Sequence, residues 1–307
     1  MSIALIITDR DLTQLSSGLK KRLPHVDIQC WPYITAPEKV TFVVAWQPPS
    51  NIWQKFPNLK VISSLGAGCD GLLSDITLPE NIIITRIVDT GLAEQMAEYV
   101  LTAILLLKRR FNDYFKQQQT EQWQTLKKIK GKKVAILGIG EIGHKVAIIL
   151  IACGYEVSGW SRSKKQHAMY ETFYGKDQLA QTVKNADFVV STLPLTIETK
   201  YLLDEVFFKS LKKSAWLINV GRGEVLKEDD LLTALANNNL QGAILDVFSA
   251  EPLASEHPFW QHDNIIITPH ISAITDQITV IEQLAENYQL LKNNKPLKNR
   301  VDRQKGY

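Results

Sequence analysis

Short apolar runs recur along the chain, and the segments between them carry apolar residues at helical spacing. Ile3 to Thr8, Thr41 to Ala45, Leu59 to Ser63 and Ile82 to Thr85 read as strands, with a helix over Leu12 to Leu23. Runs this short and this apolar, joined by helices, predict a parallel sheet covered on both faces. Glu94 to Arg109 then places Met96, Ala97, Val100, Leu101, Ile104 and Leu107 on one face of a long helix of period 3.6. The alternation resumes with strands over Val134 to Leu137, Tyr155 to Trp160, Asp187 to Thr192, Ala215 to Asn219, Gly242 to Asp246 and Asn264 to Ile267. Helices are predicted over Lys145 to Ala152, Lys176 to Asn185, Asp204 to Leu211 and Lys227 to Asn237. A long last helix, Thr275 to Asn293, is placed to return the chain to the first unit. This is the pattern of an α/β protein with two doubly wound parallel sheets.

Asn112 to Lys130 breaks the pattern. It is polar, carries Gln117-Gln118-Gln119, and reads as an arm between the two units. Phe111, Tyr114, Phe115 and Trp123 are many aromatics for a solvated loop, which favours a dimer contact. Composition adds limits. The 307 residues are 45% hydrophobic and 22% charged, as in ordinary globular proteins, and suffice for two domains. A net charge of +3 is too small to argue for nucleic acid or an anionic membrane. Cys30, Cys69 and Cys153 are scattered and form neither a disulfide framework nor a metal-ligand cluster, which fits a reducing cytoplasm. Met1 to Thr8, followed by Asp9 and Arg10, reads as a buried first strand rather than a signal peptide. Apolar runs such as Val100 to Leu107 are too short to span a bilayer.

The strongest chemical signal is Gly138-Ile139-Gly140-Glu141-Ile142-Gly143, which lies between a predicted strand and a predicted helix, with a second strand after it. In a dinucleotide fingerprint the first glycine permits a tight turn, the second lets the backbone approach a pyrophosphate, and the third lets helix and strand pack. The helix N-terminus offers N–H groups and a positive dipole end to the phosphates. The second strand ends at Gly159-Trp160 and continues Ser161-Arg162-Ser163-Lys164-Lys165, without the acidic residue that holds the ribose hydroxyls of NAD. Donors and positive charge there suit a 2′-phosphate, so NADP(H) is the preferred cofactor, with NAD(H) as the alternative.

Three motifs follow later strands: Asn219-Val220-Gly221-Arg222-Gly223, Leu245-Asp246-Val247-Phe248 leading to Ala250-Glu251-Pro252-Leu253, and Thr268-Pro269-His270. Ligands of doubly wound folds gather at the carboxyl ends of strands, so these segments are expected to converge beside a nicotinamide. Alone, Arg222 reads as a turn cap, Glu251 as a solvated acid and His270 as a structural histidine. Together, Arg, Glu and His at successive strand ends make an anion clamp, a base and the group that orients it.

With the fingerprint upstream, these motifs resemble the D-isomer-specific 2-hydroxyacid dehydrogenase family over essentially the whole chain. The resemblance implies that Arg222 binds the substrate carboxylate and carbonyl, that His270 is the acid–base group, and that Glu251 pairs with it. Asp246 is implied to lie near the nicotinamide. Ser64-Leu65-Gly66-Ala67-Gly68-Cys69-Asp70 matches the family's substrate-carboxylate loop. Ala45-Trp46-Gln47-Pro48-Pro49, Asp89 to Met96, Trp160-Ser161-Arg162, Pro269 to Thr275 and the ending Val301 to Tyr307 look like the bacterial glyoxylate/hydroxypyruvate reductase A branch. That branch implies NADPH-dependent reduction of small 2-oxo acids by direct hydride transfer, without a metal, in a homodimer. Trp46 is then a wall of the substrate pocket that favours small substrates. The substrate-binding candidates are Trp46, Gly66, Ala67 and Gly68. The cofactor contacts are Gly138, Gly140, Glu141, Ile142, Gly143, Ser161, Arg162, Ser163, Lys164, Leu193, Pro194, Val220 and Asp246. The domains expected are a Rossmann coenzyme domain over 98–284 and a smaller flavodoxin-like substrate domain over 1–97 and 285–307. Other specificities within the family, and a cofactor-sensing binding protein on the same fold, stay open at this stage.

Overall fold

The structure, a computed structural model, describes residues 1–8 and 10–303. Asp9 and the terminal Gln304, Lys305, Gly306 and Tyr307, which entered two of the readings above, lie outside the described residues. The chain divides into two compact units, Met1–Gly91 with Thr275–Tyr307, and Leu92–Ile274.

The first unit holds β1 (Ser2–Ile7), α1 (Thr13–Arg22), β2 (Ile28–Cys30), β3 (Val40–Trp46), β4 (Val61–Ser64), α2 (Asp70–Leu73) and β5 (Ile83–Thr85). Its five strands are all parallel, in the order β2-β1-β3-β4-β5. That is the flavodoxin-like order, with its switch point between β1 and β3. Every residue of β1 is buried, as a strand covered on both faces requires.

The second unit begins within α3 (Thr90–Lys108) and continues through α4 (Phe111–Gln119), β6 (Lys133–Leu137), α5 (Glu141–Ala152), β7 (Glu156–Ser161), β8 (Glu171–Tyr174), α6 (Leu179–Val183) and β9 (Phe188–Ser191). It ends with α7 (Glu205–Lys209), β10 (Trp216–Asn219), α8 (Glu228–Ala236), β11 (Gly242–Leu245) and β12 (Ile265–Ile267). Its seven strands are parallel, in the order β12-β11-β10-β9-β6-β7-β8. This extends the Rossmann order, with the switch point between β6 and β9. Leu137, Val189, Leu217 and Leu245 face one core of the sheet, and Val134, Ile136, Val190 and Ile218 the other. The chain returns as α9 (Gln277–Lys292), which packs on α1, where Ile281 fills the space over Gly18.

The structure departs from the expected pattern in several places. The divides proposed at 97/98 and 284/285 fall inside α3 and α9, whereas the contacts separate at the N-terminal ends of those helices. The arm, expected as irregular, begins with the helix α4, on which Phe111, Tyr114 and Phe115 share a face at helical spacing. The sheets also include β2 and β8, which no apolar run predicts. No helix among the described residues is long and apolar enough to cross a membrane.

Candidate active site

The fingerprint of the second unit has the geometry its glycines predict. Gly138 takes φ +97°, and its N–H donates to Trp160 O at 2.8 Å, closing β6 against β7. A Cβ on Gly143 would meet Gly138 O at 2.0 Å, so only glycine lets α5 start this close to the turn. Gly140, the N-cap of α5, is exposed, and a Cβ there meets nothing within 4 Å. The helix start is thus uncapped by any side chain and open to an anion, which fits a dinucleotide pyrophosphate. Glu141 and Ile142 form the first turn.

The basic loop leaves β7 beside this turn. Lys165 Nζ donates to Ile139 O at 3.2 Å, tying the loop to the fingerprint. Ser161 is buried and gives its hydroxyl to Ser163 O at 2.8 Å. Arg162 Nη1 lies 2.9 Å from Glu198 Oε2, with both side chains about half exposed. An exposed pair of this kind contributes roughly 0–1 kcal/mol, so a phosphate dianion competes readily for the guanidinium. Ser163 and Lys164 are exposed.

The loops after β9, β10 and β11 pack backbone against backbone. A Cβ on Gly221 would lie 2.5 Å from Leu193 O, and one on Gly223 would lie 1.8 Å from the Phe248 carbonyl carbon. These contacts, rather than turn conformation, demand glycine on either side of Arg222. Asn219 pins the same turn: its Nδ2 donates to Arg222 O at 3.2 Å and its Oδ1 accepts from Gly221 N at 3.3 Å. Leu193 and Val220 are buried at these strand ends, and Pro194 is exposed.

Glu251 and His270 meet as the motifs suggest, with His270 Nδ1 2.7 Å from Glu251 Oε2. The other carboxylate oxygen, Oε1, accepts from Phe248 N at 2.9 Å. Burial pushes the Glu251 carboxyl up. The hydrogen bonds from His270 and Phe248, with the charges of His270 and Arg222, outweigh burial and hold it below the usual carboxylate range. Arg222, Glu251 and His270 therefore share one local field at the carboxyl ends of three neighbouring strands.

Asp246 is held by bonds within the protein. It is fully buried, and its Oδ1 accepts from Thr268 Oγ1 and from Ile271 N, and its Oδ2 from Ser272 N. Its carboxylate shapes the loop that carries His270. The sequence could not show this, because the partners lie far along the chain. Tyr99, whose hydroxyl is 2.6 Å from Thr268 Oγ1, likewise belongs to no motif that marks it.

In the first unit, Gly66 sits against the ring of Trp46, where a Cβ would come within 3.0 Å of Cζ3. Ser64 Oγ donates to Gly68 O at 2.7 Å and accepts from Gly66 N at 3.3 Å, folding residues 64–68, with Ala67 between, into a tight turn after β4. The Arg10 guanidinium lies 5.3 Å from the centroid of Trp46.

Comparison with known proteins agrees with this geometry. The family model for the NAD-binding domain of D-isomer specific 2-hydroxyacid dehydrogenases matches residues 101–272. The chain is 39% identical over 279 residues to a glyoxylate/hydroxypyruvate reductase A of Serratia proteamaculans, covering 88% of each chain. It is 36% identical to one of Yersinia enterocolitica, covering 96% of each. Among solved structures, it is similar to a D-isomer specific 2-hydroxyacid dehydrogenase from Xanthobacter autotrophicus in complex with NADPH and MES. The TM-score there is 0.91, at 31% identity and 100% and 99% coverage. It is similar also to an NADPH-dependent glyoxylate/hydroxypyruvate reductase from Sinorhizobium meliloti in complex with NADP and sulfate. That match has a TM-score of 0.90, at 30% identity and full coverage of both chains.

Proposed function

The chain belongs to the D-isomer specific 2-hydroxyacid dehydrogenase family, and on that premise we propose that it is an NADPH-dependent reductase of small 2-oxo acids, glyoxylate and hydroxypyruvate. The observation that carries the reading is the Glu251–His270 pair, 2.7 Å apart beside Arg222, on the sheet that bears the fingerprint. When bound, the nicotinamide supplies a hydride to C2 of the 2-oxo acid. His270 gives a proton to the carbonyl oxygen as it becomes a hydroxyl. With Nδ1 engaged by Glu251, Nε2 is the atom that delivers it. Arg222 stabilises the negative charge on that oxygen and on the carboxylate. The backbone of Gly66, Ala67 and Gly68 takes the carboxylate, and the Trp46 ring limits substrate size.

Gly138, Gly140, Glu141, Ile142 and Gly143 hold the pyrophosphate, while Ser161, Arg162, Ser163 and Lys164 hold the 2′-phosphate. Leu193, Pro194 and Val220 flank the cofactor. The protein acts in the cytoplasm as a homodimer, and the exposed Phe111, Phe115 and Trp123 supply the contact.

Loss of NADPH absorbance across a panel of 2-oxo acids tests the reading. Turnover of glyoxylate and hydroxypyruvate within the usual enzymatic range, about 1–10³ s⁻¹, is the expected result. Tight NADPH binding without turnover of any 2-oxo acid would show a cofactor-binding protein instead.

A further inference from the structure

His270 has φ +54°, a left-handed conformation that a side-chain-bearing residue keeps only when its surroundings impose it. Its own N–H is engaged by Asp246 O at 2.9 Å and Thr268 O at 3.1 Å. We infer that Gln95 and Tyr99, one helical turn apart on α3, are positioning residues for His270, gripping its loop on both flanks. The inference rests on the proton-donor reading of His270.

On the C-terminal flank, Gln95 binds Ile274 twice. Its Nε2 donates to Ile274 O and its Oε1 accepts from Ile274 N, both at 3.0 Å. On the N-terminal flank, Thr268 Oγ1 donates to Asp246 Oδ1. A hydroxyl has one hydrogen, so in the 2.6 Å contact between Tyr99 and Thr268 the phenol must donate. The chain of donors runs from Tyr99 to Thr268 to Asp246. The same carboxylate then takes the N–H groups of Ile271 and Ser272, the two residues after His270. That direction requires a neutral phenol. Burial, aided by the Asp246 charge and opposed by the Thr268 bond, pushes the Tyr99 hydroxyl up to about 12.

Residues four apart on a helix present to the same side, so α3 acts as a rigid jig against which residues 268–274 are set. Neither Gln95 nor Tyr99 bonds His270 itself. Their effect reaches the reaction through the position of the imidazole, and hence through its 2.7 Å contact with Glu251.

The test uses the full-length protein with NADPH and glyoxylate. It compares wild type, Y99F, Q95M, H270N and the doubles Y99F/H270N and Q95M/H270N, with kcat, KM, NADPH Kd and thermal midpoint for each. Y99F and Q95M are each expected to lower kcat about 3- to 10-fold, the worth of one or two ordinary hydrogen bonds, with NADPH Kd unchanged. Neither should lower the residual turnover of H270N any further. A packing role alone would reduce the wild type and H270N by equal factors. Wild-type kcat in both single variants, or equal factors in both backgrounds, would overturn the inference. Wild-type turnover by H270N would instead overturn the proton-donor reading. Q95M alters a partly exposed side chain and keeps the test decisive if Y99F unfolds.

Discussion

The fingerprint offers a pair of substitutions with opposite structural consequences. In Gly140→Ala, the new Cβ has nothing within 4 Å, and the backbone at φ −74°, ψ −159° is ordinary extended structure for alanine. Alanine is a poorer N-cap than glycine by roughly 0.5–1 kcal/mol, and its lower unfolded-state entropy returns about 0.4–1 kcal/mol. Stability should therefore stay within about 1 kcal/mol, or roughly 2–4 °C in a chain of this size. The open space is, on our reading, where the pyrophosphate comes against the backbone. The methyl group should cost at least one charge-assisted hydrogen bond, about 1.5–3 kcal/mol, or some 10- to 150-fold in NADPH Kd.

In Gly143→Ala the Cβ meets Gly138 O at 2.0 Å, a backbone atom that cannot swing aside. Helix and turn must separate by about 1 Å to restore ordinary contact, so both the thermal midpoint and NADPH affinity should fall. Calorimetric titration with NADPH and a thermal melt of each variant read the two quantities separately. Normal NADPH affinity in Gly140→Ala, at unchanged stability, would refute the assignment of that space to the phosphates.

Arg162→Ala should weaken NADPH about 10- to 150-fold and NADH less than about 3-fold; equal losses would remove Arg162 from the 2′-phosphate site. Glu251 has its carboxyl held down in the folded protein, so its contribution to stability is present above its ordinary value of 4.5 and is lost as pH falls through the lower folded value. The gap in thermal midpoint between wild type and Glu251→Gln should accordingly be present above about pH 4.5 and shrink as the solution is acidified below it; a gap that widens on acidification would contradict this sign. Light scattering at micromolar concentration should give a dimer mass, and Trp123→Ser with Phe115→Ser should shift it toward the monomer; a wild-type monomer would refute the contact assigned to the arm.

Much of this arrangement was legible in the order of residues because it depends on local pattern. β1, β3, β6 and β9 to β11 are short, largely buried runs, and such strands declare themselves by apolar continuity, as does the three-isoleucine edge strand β12. β2 and β8 are edge strands of three and four residues, and in Glu171–Tyr174 two of the four are exposed, so no apolar run marks them. α4 has no buried residue, and its polar composition concealed the helical spacing of Phe111, Tyr114 and Phe115. At the site, Arg222, Glu251 and His270 stood out because their motifs sit at strand ends. The supports did not. The bonds of Asp246 to residues 268, 271 and 272 follow from no motif, and Tyr99 and Gln95 lie on a helix far upstream. Nothing local in a sequence distinguishes a helix residue that props a distant loop from one that packs.

The backbone contacts of Gly221 with Leu193 and of Gly223 with Phe248 bear on how such a protein can diverge. Loops pressed main chain to main chain share one tolerance, so an insertion in any of the three displaces its neighbours as well. The segment after β7 is moored to the fingerprint by a lysine side chain, and its Arg162, Ser163 and Lys164 are open to water. On the function proposed here, lineages or engineers are therefore free to exchange that segment and change the coenzyme while the Glu251–His270 pair is inherited intact.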